Sequence, residues 1–594
     1  MIRRPFCRST FPAFLLLLLA LALCGEAAEL PAGFTPPSVT QLDPQVEARV
    51  NGLLAQLTTE EKISLLSGTT YMTTQAIKRL GIPQLKFSDG PVGVRCWGQS
   101  TAYPADILLA ATWDRDAAKD MGAAIGRDAR ARGVHVVLAP GTNIYREAQN
   151  GRNFEYVGED PFLASAVVVN YIRGMQSQDV AACIKHFVAN EEETRRNSMN
   201  VIVGRRALEE IYFPPFKAAI NEGNVWTAMA AYNKVNGDWC TENKFLLTDT
   251  LRDQWHFQGL LMSDWGAVHN TLRDLNSGTD LEMDGGKPRK FYNAEAIKPL
   301  LASHAVSPQT LDEHVRRLLR LIVSMGFMDR DQTDSSIPLD DPQSAAVALK
   351  VASEGIVLLK NENKLLPLAR AQTHRVVVLG PNAQRAVIGA GGSSGVNPFS
   401  SISALQAIQT VAGPGVQVDY ISESIDALYP HSVFIPVAAS GGKPGLSAEY
   451  FSNAQLEGTP VVRRVDPAID FKTGNESPLP AIPQDSAFSI RWRGAIQPSE
   501  TGDFIFAGTD SGGWRILLNG KVVTDMWTLH NHGSSEDVVP LKKNQMYQLA
   551  VEYSHPEGSA EMHFGWAHPQ VSPAEQGQIK SADAVIYAGG FNPE

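Results

Sequence analysis

The stretch GLLMSDWGAVH, Gly259–His269, decides how the rest of the sequence is interpreted. Its apolar run LLM has the length of a buried strand, and the run stops at Asp264 and Trp265. A carboxylate at the end of a buried parallel strand, next to an indole, provides an oxygen nucleophile and a flat wall for a sugar ring. We therefore predict that Asp264 is a catalytic nucleophile. The alternative from this stretch alone is an Asp that caps the following helix.

Residues 40–330 alternate short apolar runs with helix-like segments. Repeats of a strand and a helix are typical of a parallel sheet, either closed into a barrel or open with helices on both faces. Their number and the length of the segment favour a TIM-like (β/α)8 barrel as the fold of this α/β region. Besides GLLMSDW, the strand-like runs are LKFSDGPVGVR (85–95), VHVVLAP (134–140), VAACIKHF (180–187) and VWTAMAAYN (225–233).

Polar and aromatic side chains stand where these runs end. In parallel barrels the reacting groups lie at the carboxyl ends of the strands, and charged groups bind hydroxyls more strongly than neutral groups do. Each residue alone has a structural interpretation, such as Asp89 in a turn, Arg152 paired with Glu155, or His186 in the core. Such coincidences are not expected at every strand end together, so we predict a sugar-binding pocket with Trp265 as its wall. The residues at the strand ends are Asp89, Arg152, Lys185, His186, Tyr232 and Asp264.

Composition and the first residues limit the class of protein. The chain has 594 residues, 44% of them hydrophobic, and a formal net charge of −11, which gives no reason to expect a nucleic acid partner. Residues 1–28 combine a basic start, a short apolar stretch and small residues, as a secretory signal peptide does. No later segment resembles a membrane span, so we predict an exported protein. Cys96, Cys183 and Cys240 are too few for a disulfide framework or a zinc pattern, and no metal or other cofactor is predicted.

The second half of the sequence changes character twice. Residues 340–445 have α/β character, and their loop GAGGSSGVNP (389–398) lies too far from the preceding strand to be a dinucleotide site. From 446 to 570 apolar and polar residues alternate, and Asn519-Gly520 indicates a tight turn, which predicts an antiparallel β-sandwich. Residues 571–594 resume the α/β character. We therefore predict an α/β sandwich domain interrupted by an antiparallel β-sandwich insert.

Five motifs, in this order and spacing, resemble the β-glucosidase branch of glycoside hydrolase family 3. They are SDGPVGVR (88–95), NGRNFEYVGEDP (150–161), IKHFVANEEE (184–193), AMAAYNKVNG (228–237) and GLLMSDWGAVH (259–269). The resemblance covers most of the chain and implies a retaining, exo-acting glycosidase whose nucleophile matches Asp264. The segment 446–570 is similar to the protective-antigen-type sandwich of some family members. By the same match, the subsite for the terminal sugar is lined by Asp89, Arg152, Lys185, His186 and Tyr232.

The resemblance also bears on substrate and catalysis. Val188-Ala189-Asn190-Glu191 stands where the N-acetylglucosaminidase branch carries a Gly-His pair, and Trp265 resembles the glucosidases. A terminal β-D-glucosyl unit is the expected substrate, with a β-xylosidase, an α-L-arabinosidase or a catalytically degenerate carbohydrate-binding protein as alternatives. In the family the acid/base is a Glu a few residues beyond the position of Glu594. The resemblance therefore implies a C-terminally truncated chain with an incomplete α/β sandwich domain, and it leaves the oligomeric state unpredicted.

Overall fold

The structure is a computed structural model of the chain, and the residues it describes form two compact units. The first unit comprises the described residues up to Lys360 together with Val387–Ser401, and the second comprises Asn361–Ala386 and the described part of Ile402–Gly590. The predicted signal peptide and Glu594 lie outside the described residues. These residues are 35–284, 290–389, 391–421, 432–435, 445–474, 482, 486–510, 512–527, 533–555, 560–568 and 573–590.

A five-stranded parallel sheet forms the centre of the first unit, in the order β1-β2-β3-β5-β8. Every residue of its strands is buried and most are apolar, as expected when both faces of a parallel sheet are covered. The predicted parallel α/β sheet is thereby confirmed. The strands are β1 (Phe87–Asp89), β2 (Val136–Leu138), β3 (Ala181–Phe187), β5 (Thr227–Ala230) and β8 (Leu260–Ser263), and a small outer sheet contains β4 (Asn200–Val201), β6 (Lys234–Val235) and β7 (Asp238–Trp239).

Irregular segments continue the hydrogen bonding beyond the two edge strands. Met262 of β8 forms a parallel bridge with Leu281, and Ser67 forms another with Glu282. On the other edge, the amide of Phe87 donates to Met72 O at 2.9 Å, and the local bridge there is antiparallel. These single bridges are not regular strand and helix repeats, so the eight-fold barrel stays a prediction.

Helices cover this sheet, and most begin at a side chain that caps free amide groups. Thr58 and Glu61 form a capping box at the second helix. In the described residues of the first unit, two π-helical segments, Leu208–Tyr212 and Phe245–Gln254, accompany the α-helices. The α-helices are α1 (Pro44–Leu54), α2 (Thr59–Leu65), α3 (Asp106–Ala111), α4 (Arg115–Ala131), α5 (Pro161–Gln176), α6 (Arg205–Ala207), α7 (Pro214–Asn221), α8 (Thr271–Ser277), α9 (Ala294–Ala302), α10 (Pro308–Ser324) and α11 (Pro342–Gly355).

Two glycines allow helices α4 and α5 to pack closely. A Cβ at Gly174 would lie 2.0 Å from the carbonyl oxygen of Lys119, and a Cβ at Gly122 would lie 2.1 Å from that of Tyr171. No side chain fits at such distances, because both neighbours are backbone atoms. The close contact fixes the two helices against each other, and α5 also packs on β3.

The second unit combines a parallel sheet with two antiparallel sheets. The parallel sheet has the order β10-β9-β21, from β9 (Arg375–Leu379), β10 (Gln417–Ile421) and β21 (Ala584–Tyr587). The antiparallel strands run between β10 and β21 in the chain, in sheets of order β12-β11-β14-β19-β16-β17 and β13-β20-β15-β18. They are β11 (Leu446–Phe451), β12 (Val462–Asp466), β13 (Ile469–Gly474), β14 (Phe488–Ile496), β15 (Gly502–Asp510), β16 (Gly513–Leu518), β17 (Lys521–Asp525), β18 (Gly533–Leu541), β19 (Tyr547–His555) and β20 (Ala560–Ala567), and the helices are α12 (Ala404–Ala412) and α13 (Pro573–Lys580).

An aromatic core holds the antiparallel sheets together. Trp492 and Trp514 are fully buried and share one apolar cluster with Tyr553. Asn519 and Gly520 both have positive φ, 52° and 76°, which suits the tight turn that the sequence predicts between β16 and β17. Among the described residues, the helices are all too short or too polar to cross a bilayer.

Candidate active site

Asp264 lies immediately after β8, at the carboxyl end of the parallel sheet. Its amide donates to Ala230 O at 3.1 Å, and its side chain is buried, with the residue 6% exposed. Oδ1 accepts a hydrogen bond from the amide of Trp265 at 2.8 Å, whereas Oδ2 has no hydrogen-bond partner among the described residues. The alternative role as a helix cap is wrong, because the next helix, α8, begins at Thr271 and is capped by Asn270. One carboxylate oxygen is therefore anchored by a backbone amide, and the other is buried without a hydrogen bond among the described residues.

Arg152 and the neutral imidazole of His186 lie near Oδ2 without a hydrogen bond to it. Arg152 Nη1 lies 3.9 Å from Asp264 Oδ2, and His186 Nε2 lies 3.5 Å from the same atom. Burial raises the pKa of Asp264 above its ordinary value, and the charges of Arg152 and Arg196 oppose that shift. The charges of the two arginines thus counteract the desolvation of the carboxylate, while Oδ2 has no hydrogen bond among the described residues.

Glu155 pairs with both cations of the predicted pocket. It is 0% exposed, it accepts a hydrogen bond from Arg152 Nε, and its Oε2 lies 2.9 Å from Lys185 Nζ. Burial alone would raise the pKa of Glu155, but Arg152 and Lys185 outweigh burial and lower it. Lys185 Nζ is also 3.9 Å from Asp89 Oδ1, and Arg95 Nη1 is 2.7 Å from Asp89 Oδ2. The carboxylates and cations therefore form one connected ion-pair network at the strand ends.

His186 is held on its backbone and on its ring. Asn143 accepts from the His186 amide at 2.6 Å and donates to the His186 carbonyl at 3.0 Å. The ring Nδ1 lies 3.3 Å from the hydroxyl of Tyr156. Burial, followed by the charges of Arg152 and Lys185, lowers the pKa of His186 well below its ordinary value, so the imidazole is neutral.

Aromatic side chains form one side of the site. The indole of Trp265 donates to Tyr71 O at 2.7 Å, and the two rings lie 6.0 Å apart between centroids. Tyr71 is 47% exposed, so this pair faces solvent. Tyr232 donates to Trp265 O at 3.1 Å, and the guanidinium of Arg196 lies 4.6 Å from the centre of its ring. Burial, and then the charge of Asp264, raises the pKa of Tyr232, so its hydroxyl remains protonated.

The glycine-rich loop of the sequence contacts this network. Ser393 Oγ lies 3.5 Å from Glu155 Oε2 and donates to it, and both residues belong to the first unit. The loop is fixed further along by the amide of Ser100, which donates to Asn397 O at 2.9 Å. The loop therefore places the Ser393 hydroxyl in contact with the Glu155 carboxylate of the ion-pair network.

A separate cavity of about 880 Å³ opens beside the residues that follow Asp264. None of the predicted site residues lines it, so it is not the predicted pocket. Within the part of the chain that the structure describes, no three His, Cys, Asp or Glu side chains are grouped as metal ligands. The lining residues are Gly266, Val268, His269, Glu282, Asp284, Lys290, Phe291, Asn293, Glu295 and Ala296.

The structure brings the predicted residues together and adds others. Asp89, Arg152, Lys185 and Asp264 belong to one ion-pair network, the neutral imidazole of His186 lies 3.5 Å from Asp264 Oδ2, and Tyr232 and Trp265 border the network. The sequence interpretation missed four residues with direct contacts to this group. Glu155 was considered only as a structural partner of Arg152. The missed residues are Arg95, Glu155, Tyr156 and Arg196.

Comparison with known proteins gives consistent matches. The sequence model of the glycosyl hydrolase family 3 N terminal domain matches residues 45–321, and that of the PA14 domain matches residues 442–580. The chain is 37% identical over 527 residues to a beta-glucosidase of Rhizobium radiobacter (86% of this chain, 62% of that protein). It is 36% identical over 492 residues to beta-glucosidase B of Emericella nidulans (82% and 57%). The chain thus spans about three fifths of the length of these relatives.

Solved structures give the same result. The beta-glucosidase from Kluyveromyces marxianus in complex with glucose matches with a TM-score of 0.65 and 30% identity, covering 91% of this chain and 68% of that one. DesR, a beta-glucosidase from Streptomyces venezuelae in complex with D-glucose, matches with a TM-score of 0.72 and 29% identity, covering 92% and 68%.

Proposed function

Since this chain belongs to glycoside hydrolase family 3, we propose that it is a retaining, exo-acting β-glucosidase with Asp264 as its nucleophile. The observation that carries the proposal is the state of the Asp264 carboxylate. It is buried at a strand end, anchored through Oδ1, and free of hydrogen bonds at Oδ2 among the described residues. That arrangement suits attack on an anomeric carbon and formation of a glycosyl-enzyme ester.

The ion-pair network suits recognition of the sugar in the subsite. Asp89, Lys185 and Arg152 are charged, rigidly paired and buried, so they can hold hydroxyls with strong hydrogen bonds and little loss of side-chain entropy. Tyr232 and Trp265 add an aromatic side for the apolar face of a pyranose. Two related beta-glucosidase structures are complexes with glucose, which supports a glucosyl unit as the substrate.

Neither of the other carboxylates in the network suits the role of acid/base. Glu155 has a lowered pKa and is held by two cations, and Asp89 is paired with Arg95. A general acid needs a proton at the working pH, which favours a raised pKa. We therefore propose that the acid/base carboxyl comes from outside this network. We also propose that the (β/α)8 barrel is complete and that the protein is exported.

An activated, slow substrate tests the proposal. We expect 2,4-dinitrophenyl 2-deoxy-2-fluoro-β-D-glucoside to release one equivalent of dinitrophenol and to leave a mass adduct that peptide mapping places on Asp264. The good leaving group removes the need for general acid help, whose usual value is about 10²–10⁴-fold. Asp264→Asn is the matched control, and it should bind glucose but form no adduct.

The outcomes separate the alternatives. Faster labelling by the xylosyl or arabinosyl analogue would favour those activities over β-glucosidase. Reversible binding of glucose with no adduct on any residue would contradict the proposal and support a carbohydrate-binding protein instead.

A further inference from the structure

Arg196 lies on the loop that follows β3, and it packs on a tyrosine of the site. Its guanidinium lies 4.6 Å from the centre of the Tyr232 ring, and its side chain is 27% exposed. We propose that Arg196 is a positioning residue for the nucleophile: it holds Tyr232 against Trp265 and supplies a positive charge to the buried Asp264 carboxylate. This inference rests on the proposed function for the role of Asp264 as nucleophile.

Glu193 fixes the guanidinium of Arg196. Glu193 Oε2 accepts a hydrogen bond from Arg196 Nη1, and Glu193 Oε1 accepts one from the side-chain amide of Asn190 at 2.9 Å. Asn190 is fully buried, and its amide also donates to the Tyr156 hydroxyl at 3.2 Å. A long side chain that is already held at its charged end loses little further entropy when it packs on a ring. The loop therefore presents Arg196 to Tyr232 in a defined orientation.

Tyr232 connects this contact to the main chain beside the nucleophile. Its hydroxyl donates to Trp265 O at 3.1 Å, and the amide of Trp265 donates to Asp264 Oδ1 at 2.8 Å. A cation is attracted to the face of an aromatic ring, so Arg196 opposes movement of the Tyr232 ring away from it. Arg196 therefore stabilises the arrangement in which Tyr232 holds Trp265 and Asp264 Oδ1 keeps its amide donor.

The charge of Arg196 also acts on Asp264. Burial raises the pKa of Asp264, and the charges of Arg152 and then Arg196 oppose that shift. Coulomb interactions act over distance, so Arg196 favours the ionised carboxylate while Oδ2 keeps its lone pairs free of hydrogen bonds among the described residues. A surface ion pair with Glu193 alone would have no such effect on the nucleophile.

Three other groups that face Asp264 are uncharged at neutral pH. Burial lowers the pKa of His186, and it raises those of Tyr232 and Cys183. Ionisation of Asp264 therefore depends on the neighbouring cations, and removal of one cation should change its titration. The cations whose charges act on Asp264 are Arg152, Arg196 and Lys185.

Arg205 provides a matched control for Arg196. Its guanidinium lies 5.7 Å from the centre of the Phe245 ring, and its Nη2 lies 3.4 Å from Glu209 Oε1. Arg205 thus has the same two kinds of contact, a carboxylate and an aromatic face, but Phe245 does not belong to the candidate site. A general loss of a surface arginine would affect both residues alike.

Carbon NMR of the full chain tests the charge effect without a substrate. In protein labelled with ¹³C at the Asp carboxyl groups, the signal of Asp264 is assigned by its loss in Asp264→Asn. Arg196→Met should raise the titration midpoint of Asp264, because it removes the charge, whereas Arg196→Lys and Arg205→Met should keep it close to that of the wild type. Arg196→Gln replaces Arg196→Met if the latter does not fold. An unchanged midpoint in the uncharged variant, or an equal rise in Arg196→Lys, would overturn the proposal.

Single-turnover kinetics test the positioning effect. With 2,4-dinitrophenyl β-D-glucoside, the acid limb of the glycosylation rate should move to higher pH in Arg196→Met. Above this limb the variant should still be slower than the wild type by roughly 2- to 5-fold, the rate equivalent of a cation–π contact at a partly exposed site. The substrate concentration for half-maximal rate should change by less than about twofold, because Arg196 acts through Tyr232 and not on the bound sugar.

The outcomes separate this inference from the proposed function. A loss of rate that is equal in Arg205→Met, or that lies entirely in the half-maximal concentration, would refute the positioning role of Arg196. If the wild type releases no dinitrophenol, the proposed function fails, and the titration of Asp264 still decides whether Arg196 acts on that carboxylate.

Discussion

Replacing Glu155 by Gln tests the electrostatic design of the site. Glu155→Gln keeps the volume of the side chain and removes one negative charge from a fully buried position. Arg152 and Lys185 then lose this anion, and the next carboxylate oxygens among the described residues are Asp264 Oδ2 and Asp89 Oδ1, each at 3.9 Å. We expect both cations to move toward these oxygens, so that Arg152 contacts the nucleophile directly.

Two magnitudes follow from this geometry. Breaking a buried ion pair from one side costs about 3–5 kcal/mol, because the remaining charge stays buried without its partner. In a unit of this size the loss lowers the melting temperature by roughly 5–10 °C. Direct pairing of Arg152 with Asp264 reduces its nucleophilicity, and we expect glycosyl-enzyme formation to slow by about 10- to 100-fold, or about 1.4–2.8 kcal/mol of barrier.

The pH dependence has a defined sign. The folded-state pKa of Glu155 lies below its ordinary value, so its contribution to stability is present above the unfolded pKa of about 4.3 and disappears as the pH falls through the folded value. The difference in unfolding free energy between wild type and Glu155→Gln should therefore be full at pH 6–7 and shrink below about pH 4.

Thermal unfolding and single-turnover release of dinitrophenol measure both effects. Asp329→Asn is the matched control: Asp329 accepts two hydrogen bonds from one arginine, Arg49, at 2.9 and 2.7 Å, but its side chain is 51% exposed and lies outside the site. This control should lose about 1 kcal/mol or less and keep its glycosylation rate. The reasoning is refuted if Glu155→Gln matches the control in both measurements.

Two further outcomes concern titration. Burial raises the pKa of Asp264, and the carboxylate must be ionised to attack. The midpoint of the acid limb of kcat/KM for an activated glucoside should therefore lie above pH 3.9, about the ordinary pKa of Asp. A midpoint at or below that pH would contradict the burial of Asp264. Burial also raises the pKa of Glu191, which accepts from Asn143, to about 8, so wild-type stability should fall as the pH rises from about 4.3 to 8. Glu191→Gln keeps a hydrogen-bond acceptor but does not titrate. The melting temperature of the variant should therefore rise relative to that of the wild type as the pH increases over the same range. If the two melting temperatures change equally with pH, the raised pKa of Glu191 is excluded.

The sequence revealed the residues that follow regular strands. Asp264 and Asp89 stand at abrupt ends of apolar runs, and Lys185 and His186 lie in the last positions of β3. A strand fixes the position of its end relative to its neighbours, so the sequence order of such runs predicts which side chains meet. The regular part of the first unit was predictable for the same reason.

The residues that were missed lie where the backbone is irregular. Glu155 and Tyr156 belong to a short turn after Arg152, and Glu155 meets Lys185 only through the fold. Charge balance was the signal that could have found Glu155, because two buried cations around one nucleophile require a further anion. The segments near Thr73 and Leu281, which extend the central sheet, could not be predicted either, because a single β-bridge leaves no periodic pattern of apolar residues in the sequence.

The position of Glu155 explains how one pocket can hold cations and a reactive carboxylate together. A carboxylate in contact with arginine is ionised, but its lone pairs are occupied, whereas a buried carboxylate without cations takes up a proton. Here Glu155 binds Arg152 and Lys185, so that Arg152 is kept 3.9 Å from Asp264 Oδ2. At that distance the positive charge still favours ionisation, because Coulomb energy falls only as the inverse of distance, while a hydrogen bond is lost. Glu155 therefore separates two effects of Arg152 on Asp264: the positive charge that favours ionisation is kept, and the hydrogen bond that would occupy Oδ2 is avoided.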